Sequence, residues 1–370
     1  MQKIRVGIIG TSWWADAMYL PSLAGIDKAA ISACCGQNEE RAHNLARTWK
    51  IPKVYTDWQK MLNEEPLDAL IISTPNYNHY PISLAAIERG IHVLCEKPLA
   101  MNFSEAKTMA FAAKEKNIIT MVPFTYSFLP MAQSIKQKID TGYLGKPYHL
   151  NFRYNADYGR SSTYSWRFDK KIAGSGSLGD LGSHFIYLSV LFFGEVSYVS
   201  AELGNLIKRP LLDPSGDLYE QTDDFSIIIL TFKNGAKGVI QATTLAHEPT
   251  PWGQTHYLDL HGSDGTLRGW TDWEKDYKLV GAKKEDKKFN EIEMPEMMQE
   301  NREKVDIQKM YKDTFRKRGR MTGEFIEAIY SGKNCRPSFE EGAEIQRIME
   351  AALLSYKENR KVEIKEIKLK

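Results

Sequence analysis

The sequence predicts an α/β protein of two domains. Residues 1–123 should form a doubly wound parallel sheet, and residues 124–370 an α+β domain with a large open, mostly antiparallel sheet. Three observations carry this expectation. Short apolar runs alternate with helix-like stretches through the first third of the chain, and that alternation stops near Val122. From Tyr198 onward, strand-like segments follow one another with few helices between them. A length of 370 residues supplies a core for each domain.

In the first domain, Ile4 to Ile9 reads as a strand and is followed by a helical stretch through Leu23. Strands follow at Ala29–Cys35, Val54–Tyr55, Ala69–Ser73, Ile91–Cys95 and Ile118–Val122. Between them lie helices at Glu39–Trp49, Trp58–Leu62, Pro81–Arg89 and Ser104–Lys116. Such β-α-β repetition brings ligands to the carboxyl edge of a parallel sheet. In the first turn, Gly10-Thr11-Ser12-Trp13-Trp14-Ala15, Gly10 permits a tight bend and Ala15 lets helix and strand pack closely. A dinucleotide pyrophosphate is the ligand expected at such a turn. After the second strand comes Gly36-Gln37-Asn38-Glu39-Glu40-Arg41, with no carboxylate at the strand end. Gln37, Asn38 and Arg41 can each donate to a 2′-phosphate, whereas the two glutamates favour the first turn of a helix. The cofactor expected is therefore NADP or NAD, with the lean toward NADP.

Two further strand ends face the same edge. Ser73-Thr74-Pro75-Asn76-Tyr77-Asn78-His79 suits a turn lining the nucleotide crevice, although its asparagines also suit plain turn or cap roles. The strand through Val93 and Leu94 runs into Glu96-Lys97-Pro98. Proline restrains the preceding residue from helical geometry, so Lys97 stays at the strand end. A lysine there can steady a hydroxyl or alkoxide during proton transfer.

The second domain opens with a helix at Met131–Ile139 and an alternating strand at Tyr148–Asn155. An aromatic and basic loop follows, with Tyr158, Arg160, Tyr164, Trp166, Arg167 and Phe168, which suits a pocket wall for a polar ring. In Gly174-Ser175-Gly176-Ser177-Leu178-Gly179-Asp180-Leu181-Gly182-Ser183-His184, a helix starting near Ser177 would put Asp180 and His184 at i and i+4. A carboxylate so placed orients an imidazole that exchanges a proton near neutral pH. The remaining strands are Tyr198–Leu203, Phe225–Phe232, Ala236–Thr244, Tyr257–Gly262 and Thr266–Trp270, with a hairpin turn at Asn234-Gly235. Lys278–Arg302 reads as an exposed polar excursion, and Met321–Tyr330 and Glu341–Tyr356 read as amphipathic helices.

Composition narrows the function. A net charge of +2 leaves no basic face for nucleic acid, and the Phe315–Arg320 run reads as solvated surface. No apolar run approaches the roughly 20 residues that span a bilayer, and Met1-Gln2-Lys3 leads straight into the first strand. Cys34, Cys35, Cys95 and Cys335 show no metal spacing, so no metal site is expected. Reduced thiols and a cytoplasmic location are expected.

Val6-Gly7-Ile8-Ile9-Gly10, Thr74-Pro75-Asn76 with His79, Gly90 to Pro98, Trp166-Arg167, Asp180 to His184 and Phe325-Ile326-Glu327-Ala328-Ile329 together resemble the glucose–fructose oxidoreductase and inositol dehydrogenase family. The resemblance implies a Rossmann domain and a C-terminal domain whose open sheet serves as a homodimer or homotetramer interface. It implies hydride transfer between a nicotinamide and a secondary hydroxyl or carbonyl of a sugar, cyclitol or derivative, a small polyhydroxylated substrate. His184 would move the hydroxyl proton, Lys97 would bond the same oxygen, and Asp180 would hold substrate or orient His184. Glu96, Trp166 and Arg167 would line the nicotinamide end, and Tyr126, Tyr154 and Trp166 the substrate pocket. Three positions depart from the pattern: Ser12 replaces the usual second glycine, Ser127 a frequent arginine, and Tyr187 a frequent aspartate. Two other activities fit such a scaffold. One is glycoside hydrolysis with retained NAD, and the other is non-catalytic sensing of a sugar or nucleotide.

Overall fold

The structure, a computed structural model, describes residues 3–250, 252–294 and 320–369. These divide into two compact units. The first holds the chain up to Pro123 together with 320–346 and Leu369, and the second holds 124–294 with 347–368.

The first unit is built on a six-stranded sheet. Its strands are β1 (Ile4–Ile9), β2 (Ala29–Cys35), β3 (Lys53–Tyr55), β4 (Ala69–Ile72), β5 (His92–Cys95) and β6 (Thr120–Met121). They lie in the order β3-β2-β1-β4-β5-β6, and every pairing is parallel. Ala69, Leu70, Ile71 and Ile72 are all fully buried, because helices cover both faces of a parallel sheet and leave no strand side for water. The order reverses between β1 and β4, which opens a crevice at their carboxyl ends.

Helix starts in this unit follow their caps. Asn38 accepts a hydrogen bond from Arg41 N at 2.8 Å and starts Glu39–Trp49. Glu39 and Glu40 occupy its first turn, where the helix dipole favours them. Asp57 accepts from Gln59 N at 2.8 Å, and Asn102 from Glu105 N at 2.9 Å. Each such cap is worth about 1 kcal/mol. The helix expected after Gly10 differs: Ala15–Tyr19 is π-helical and only Leu20–Ala24 is α. Residues 320–346 also belong here. Val122 N donates to Pro337 O at 2.8 Å, and Thr120 Oγ1 accepts from Phe339 N at 3.1 Å.

The second unit carries a nine-stranded sheet. Its strands are β7 (Pro147–Ala156), β8 (Val196–Gly204), β9 (Phe225–Phe232), β10 (Lys237–Thr243), β11 (Gln254–Gly262), β12 (Gly265–Thr271), β13 (Tyr277–Lys283), β14 (Asn290–Glu291) and β15 (Val362–Glu363). The order is β14-β13-β12-β11-β7-β10-β9-β8-β15, antiparallel throughout except where β10 pairs with β7. The helix Ser183–Phe193 is buried along most of its length, which its almost wholly apolar sequence requires. On the other side of the sheet, Ile227, Ile229 and Val239 stay partly exposed.

The polar excursion expected over Lys278–Arg302 is corrected here. Tyr277–Lys283 is a strand paired with β12, and Tyr277, Leu279 and Gly281 face inward, a period of two obscured by Lys278 and by the charged residues that flank the strand. Residues 295–302, and all of the basic run Phe315–Arg320 except Arg320, lie outside the described residues.

Candidate active site

In the first unit the carboxyl ends of β1, β2 and β4 meet closely at the expected nucleotide turn. Gly10 adopts φ +108°, and a Cβ there would stand 2.1 Å from Ser73 O. A Cβ on Gly36 would stand 2.4 Å from Thr11 Oγ1. Gly10 is therefore required by close backbone approach and Gly36 by the Thr11 side chain packed against it, and together they leave a cradle between strand ends. Ser12 fills part of the space a second glycine would leave open. Its Oγ lies 3.3 Å from Ser73 Oγ and accepts from Ala15 N at 3.4 Å, so the hydroxyl starts the widened helical turn. Trp13 is exposed and Trp14 half-buried on that turn. Gln37 and Arg41 are exposed beyond the end of β2, where no carboxylate stands. These groups fit a dinucleotide. Gly10→Ala is expected to lower stability by roughly 1–3 kcal/mol, because the methyl meets main chain that cannot retreat. Urea unfolding and nucleotide titration of that variant check this; unchanged nucleotide affinity would place the binding turn elsewhere.

Two other strand ends in this unit are tied together by His79, which is wholly buried. Its Nδ1 lies 2.9 Å from Pro98 O and its Nε2 3.0 Å from Thr74 O. Burial pushes its pKa down, so the neutral ring donates to one of these carbonyls. His79 thus braces the Thr74-Pro75-Asn76 turn against the Lys97-Pro98 turn from behind, with Asn76 buried and Thr74, Pro75 and Lys97 half-buried. Tyr19, the last residue of the π-helical turn, donates its hydroxyl to Glu96 Oε1. Burial raises the Glu96 pKa, and the adjacent Lys97 charge opposes that shift.

In the second unit, Asp180 and His184 lie where two helical geometries join. Leu178–Gly182 is π-helical and Ser183–Phe193 is α. The α-helical start expected near Ser177 is thereby corrected to a π turn, which takes an extra residue between Leu178 and Gly182. Such widened turns are frequent at functional sites. Asp180 Oδ2 accepts from Tyr158 Oη at 2.6 Å and lies 3.3 Å from Arg167 Nε. The Arg167 guanidinium also stacks over the Trp166 ring at 4.6 Å. His184 is buried, with its ring centroid 4.6 Å from that of Tyr126 and 6.3 Å from Phe124. Tyr126 Oη shares a hydrogen bond of 2.5 Å with Tyr154 Oη, which donates to Gln254 Oε1 at 2.7 Å.

The structure thus brings together Asp180, Arg167 and Trp166, and separately His184, Tyr126 and Tyr154. Two partners escaped the sequence reading. Tyr158 was visible only as one aromatic of a loop, and Gln254 had no signal, because each acts through a partner far along the chain. The two remaining departures serve packing: Ser127 Oγ donates to Phe124 O at 2.8 Å, and Tyr187 stacks on Phe124 with centroids 4.6 Å apart. Among the described residues no helix is long and apolar enough to cross a membrane, and no cluster of three potential metal ligands occurs.

Comparison with known proteins supports one family throughout. Residues 4–124 match the model of the oxidoreductase family, NAD-binding Rossmann fold, and residues 136–364 match that family's C-terminal alpha/beta domain. Levoglucosan dehydrogenase of Pseudarthrobacter phenanthrenivorans is 33% identical over 294 residues, spanning 72% of this chain and 73% of the relative. The NADP(+) scyllo-inositol 2-dehydrogenase IolU of Bacillus subtilis is 29% identical over 267 residues, 71% of this chain and 75% of the relative. Among solved structures, levoglucosan dehydrogenase in complex with NADH superposes with a TM-score of 0.85 at 28% identity, covering 98% of this chain and 99% of that one. The expectation of an NAD(P)-dependent oxidoreductase holds: this chain belongs to the glucose–fructose oxidoreductase and inositol dehydrogenase family.

Proposed function

We propose that this chain is a dehydrogenase acting on a secondary hydroxyl of a sugar, a cyclitol or a close derivative, and that it prefers NADP. The observation that carries the reading is the Asp180 carboxylate, held by Tyr158 Oη at 2.6 Å and by Arg167, four residues before the buried His184. Relatives of that chemistry include the levoglucosan and scyllo-inositol dehydrogenases.

The cofactor would be held by Gly10, Thr11, Ser12, Trp13 and Trp14 at the first turn, with Gly36, Gln37 and Arg41 at the ribose. Thr74, Pro75, Asn76, Glu96, Trp166 and Arg167 would lie toward the nicotinamide, and His79 braces two of those segments. A nicotinamide bound there would supply the hydride acceptor for oxidation of the substrate carbon and the hydride donor for its reduction. His184 takes the hydroxyl proton during oxidation and gives it back during reduction. Lys97 hydrogen-bonds the same oxygen and stabilises its developing negative charge. Asp180 holds a neighbouring substrate hydroxyl, and Tyr126, Tyr154 and Trp166 shape the apolar side of the pocket. The lean to NADP rests on the strand end of β2, which offers amide and guanidinium donors and no carboxylate. Assembly into a homodimer or homotetramer through the open face of the nine-stranded sheet, and a cytoplasmic location, complete the reading.

Parallel titration with NADPH and NADH, read by tryptophan fluorescence, is expected to show saturable binding with tighter NADPH. Turnover of a panel containing levoglucosan and scyllo-inositol follows, with light scattering for assembly. Folded protein that binds neither nucleotide refutes the reading.

A further inference from the structure

Three consecutive residues of the second unit, Thr222, Asp223 and Asp224, reach every segment that holds Asp180. The Asp223 carboxylate accepts from Gly176 N at 2.8 Å and from Leu178 N at 2.7 Å, and its carbonyl accepts from Ser177 N at 2.9 Å. Three successive N–H groups at the start of the π-helical turn are thereby satisfied by one residue. Gly176 is required for this approach, since a Cβ there would stand 1.9 Å from Asp223 O. Asp180 hangs directly on that start, its own N donating to Gly176 O at 2.8 Å.

Asp224 governs the other end of Asp180. It forms a wholly buried ion pair with Arg209 at 3.2 Å and accepts from Leu206 N and Ile207 N at 2.9 and 3.0 Å. Arg209 lies over the Phe168 ring at 3.6 Å and donates to Gly159 O at 2.6 Å. The Asp224 carbonyl accepts from Thr244 N at 2.9 Å, and Thr244 O in turn accepts from Gly159 N at 2.9 Å. Gly159 is therefore clamped on both its carbonyl and its amide, and the next residue back is Tyr158, whose hydroxyl meets Asp180 Oδ2. Thr222 completes the set: its N donates to Phe168 O at 2.9 Å and its Oγ1 to Arg167 O at 3.3 Å.

We propose that Thr222-Asp223-Asp224, with Arg209, form a latch of positioning residues that sets the main chain and the carboxylate of Asp180 together. One residue holds the helix start, its neighbour holds Tyr158 through Gly159, and the third holds Arg167. A buried ion pair contributes little net stability, yet it fixes one geometry because either charge left alone is strongly disfavoured. Burial of Asp223 pushes its pKa up to about 6, which its backbone donors partly oppose, so near neutral pH the ionised carboxylate accepts from both N–H groups. Displacement of a positioned group by about 1 Å costs up to 100-fold in rate.

This inference rests on the dehydrogenase reading above, and the test separates the two. In the full chain, Asp223→Asn is expected to lower kcat 10- to 100-fold with NADPH affinity changed less than about threefold. Tyr158→Phe and Thr222→Val should each lower it about 3- to 10-fold. In an Asp180→Asn background the same three changes should shift kcat less than about twofold, which a general loss of stability would not reproduce. Wild-type kcat in Asp223→Asn overturns the latch. If that variant does not fold, wild-type kcat in both Tyr158→Phe and Thr222→Val overturns it, and so do undiminished effects of these two in the Asp180→Asn background. If instead His184→Asn turns over at the wild-type rate, or wild type oxidises nothing in the panel, the dehydrogenase reading itself has failed and the latch falls with it.

Discussion

Replacing His184 by asparagine should lower kcat/KM on the order of 10²- to 10⁴-fold while leaving nucleotide binding intact. The size follows from removing the only group assigned to carry the hydroxyl proton. Asparagine keeps polarity near Tyr126 and Phe124 without offering a base, so the loss reports chemistry and not a collapsed core. Lys97→Met should cost a comparable 10² to 10³, through the unsatisfied charge that develops on the same oxygen. Steady-state rates, with nucleotide titration in parallel, decide the matter. Wild-type turnover from both variants would leave the assigned roles without support.

Acid sensitivity of stability should trace to a different histidine. His256 sits in an aromatic cage in the second unit, with ring centroids 4.6 Å from Tyr126, 4.1 Å from Tyr154, 5.3 Å from Phe185 and 5.1 Å from Trp273. Its Nε2 has no hydrogen-bond partner among the described residues, and burial alone lowers its pKa to about 3. Below the ordinary histidine pKa the unfolded chain binds a proton that the folded chain refuses. Stability therefore falls as pH drops, by about 1.4 kcal/mol per unit between roughly pH 6.5 and the folded value. Between pH 7 and pH 5 that amounts to about 2 kcal/mol. His256→Phe keeps an aromatic ring in the cage and cannot take the proton. Urea unfolding at the two pH values should show the acid loss smaller by about that amount in the variant. An equal loss in both proteins would mean that other groups dominate.

Legibility in the sequence followed the range of each interaction. The six parallel strands were visible because a strand covered on both faces must be apolar along its whole length, as Ala69–Ile72 is. Helix Glu39–Trp49 was visible to its ends because Asn38 caps it and the glutamates sit where the dipole favours them. Strand Tyr277–Lys283 was missed because Lys278, Lys283 and the charged residues around them match those of a solvated loop. The alternation that distinguishes the two is short and flanked by charge.

The sequence by itself determined the doubly wound first unit, the glycine turn at Gly10, the placement of Lys97 at a strand end, and the Asp180–His184 pattern that names the family. Each depends on neighbours within a few residues, where periodicity, proline and glycine act directly on the backbone. Only the tertiary structure decided which groups hold Asp180. Tyr158, Arg167 and the Thr222–Asp224 latch lie far from it in the chain and meet it through packed turns and strand pairing. The tertiary structure likewise decided that residues 320–346 join the first unit and that the helices carrying Tyr19 and Asp180 widen into π turns. Hydrogen-bond partners separated by tens of residues leave no periodic trace, because they are chosen by how buried surfaces fit and not by local backbone preference.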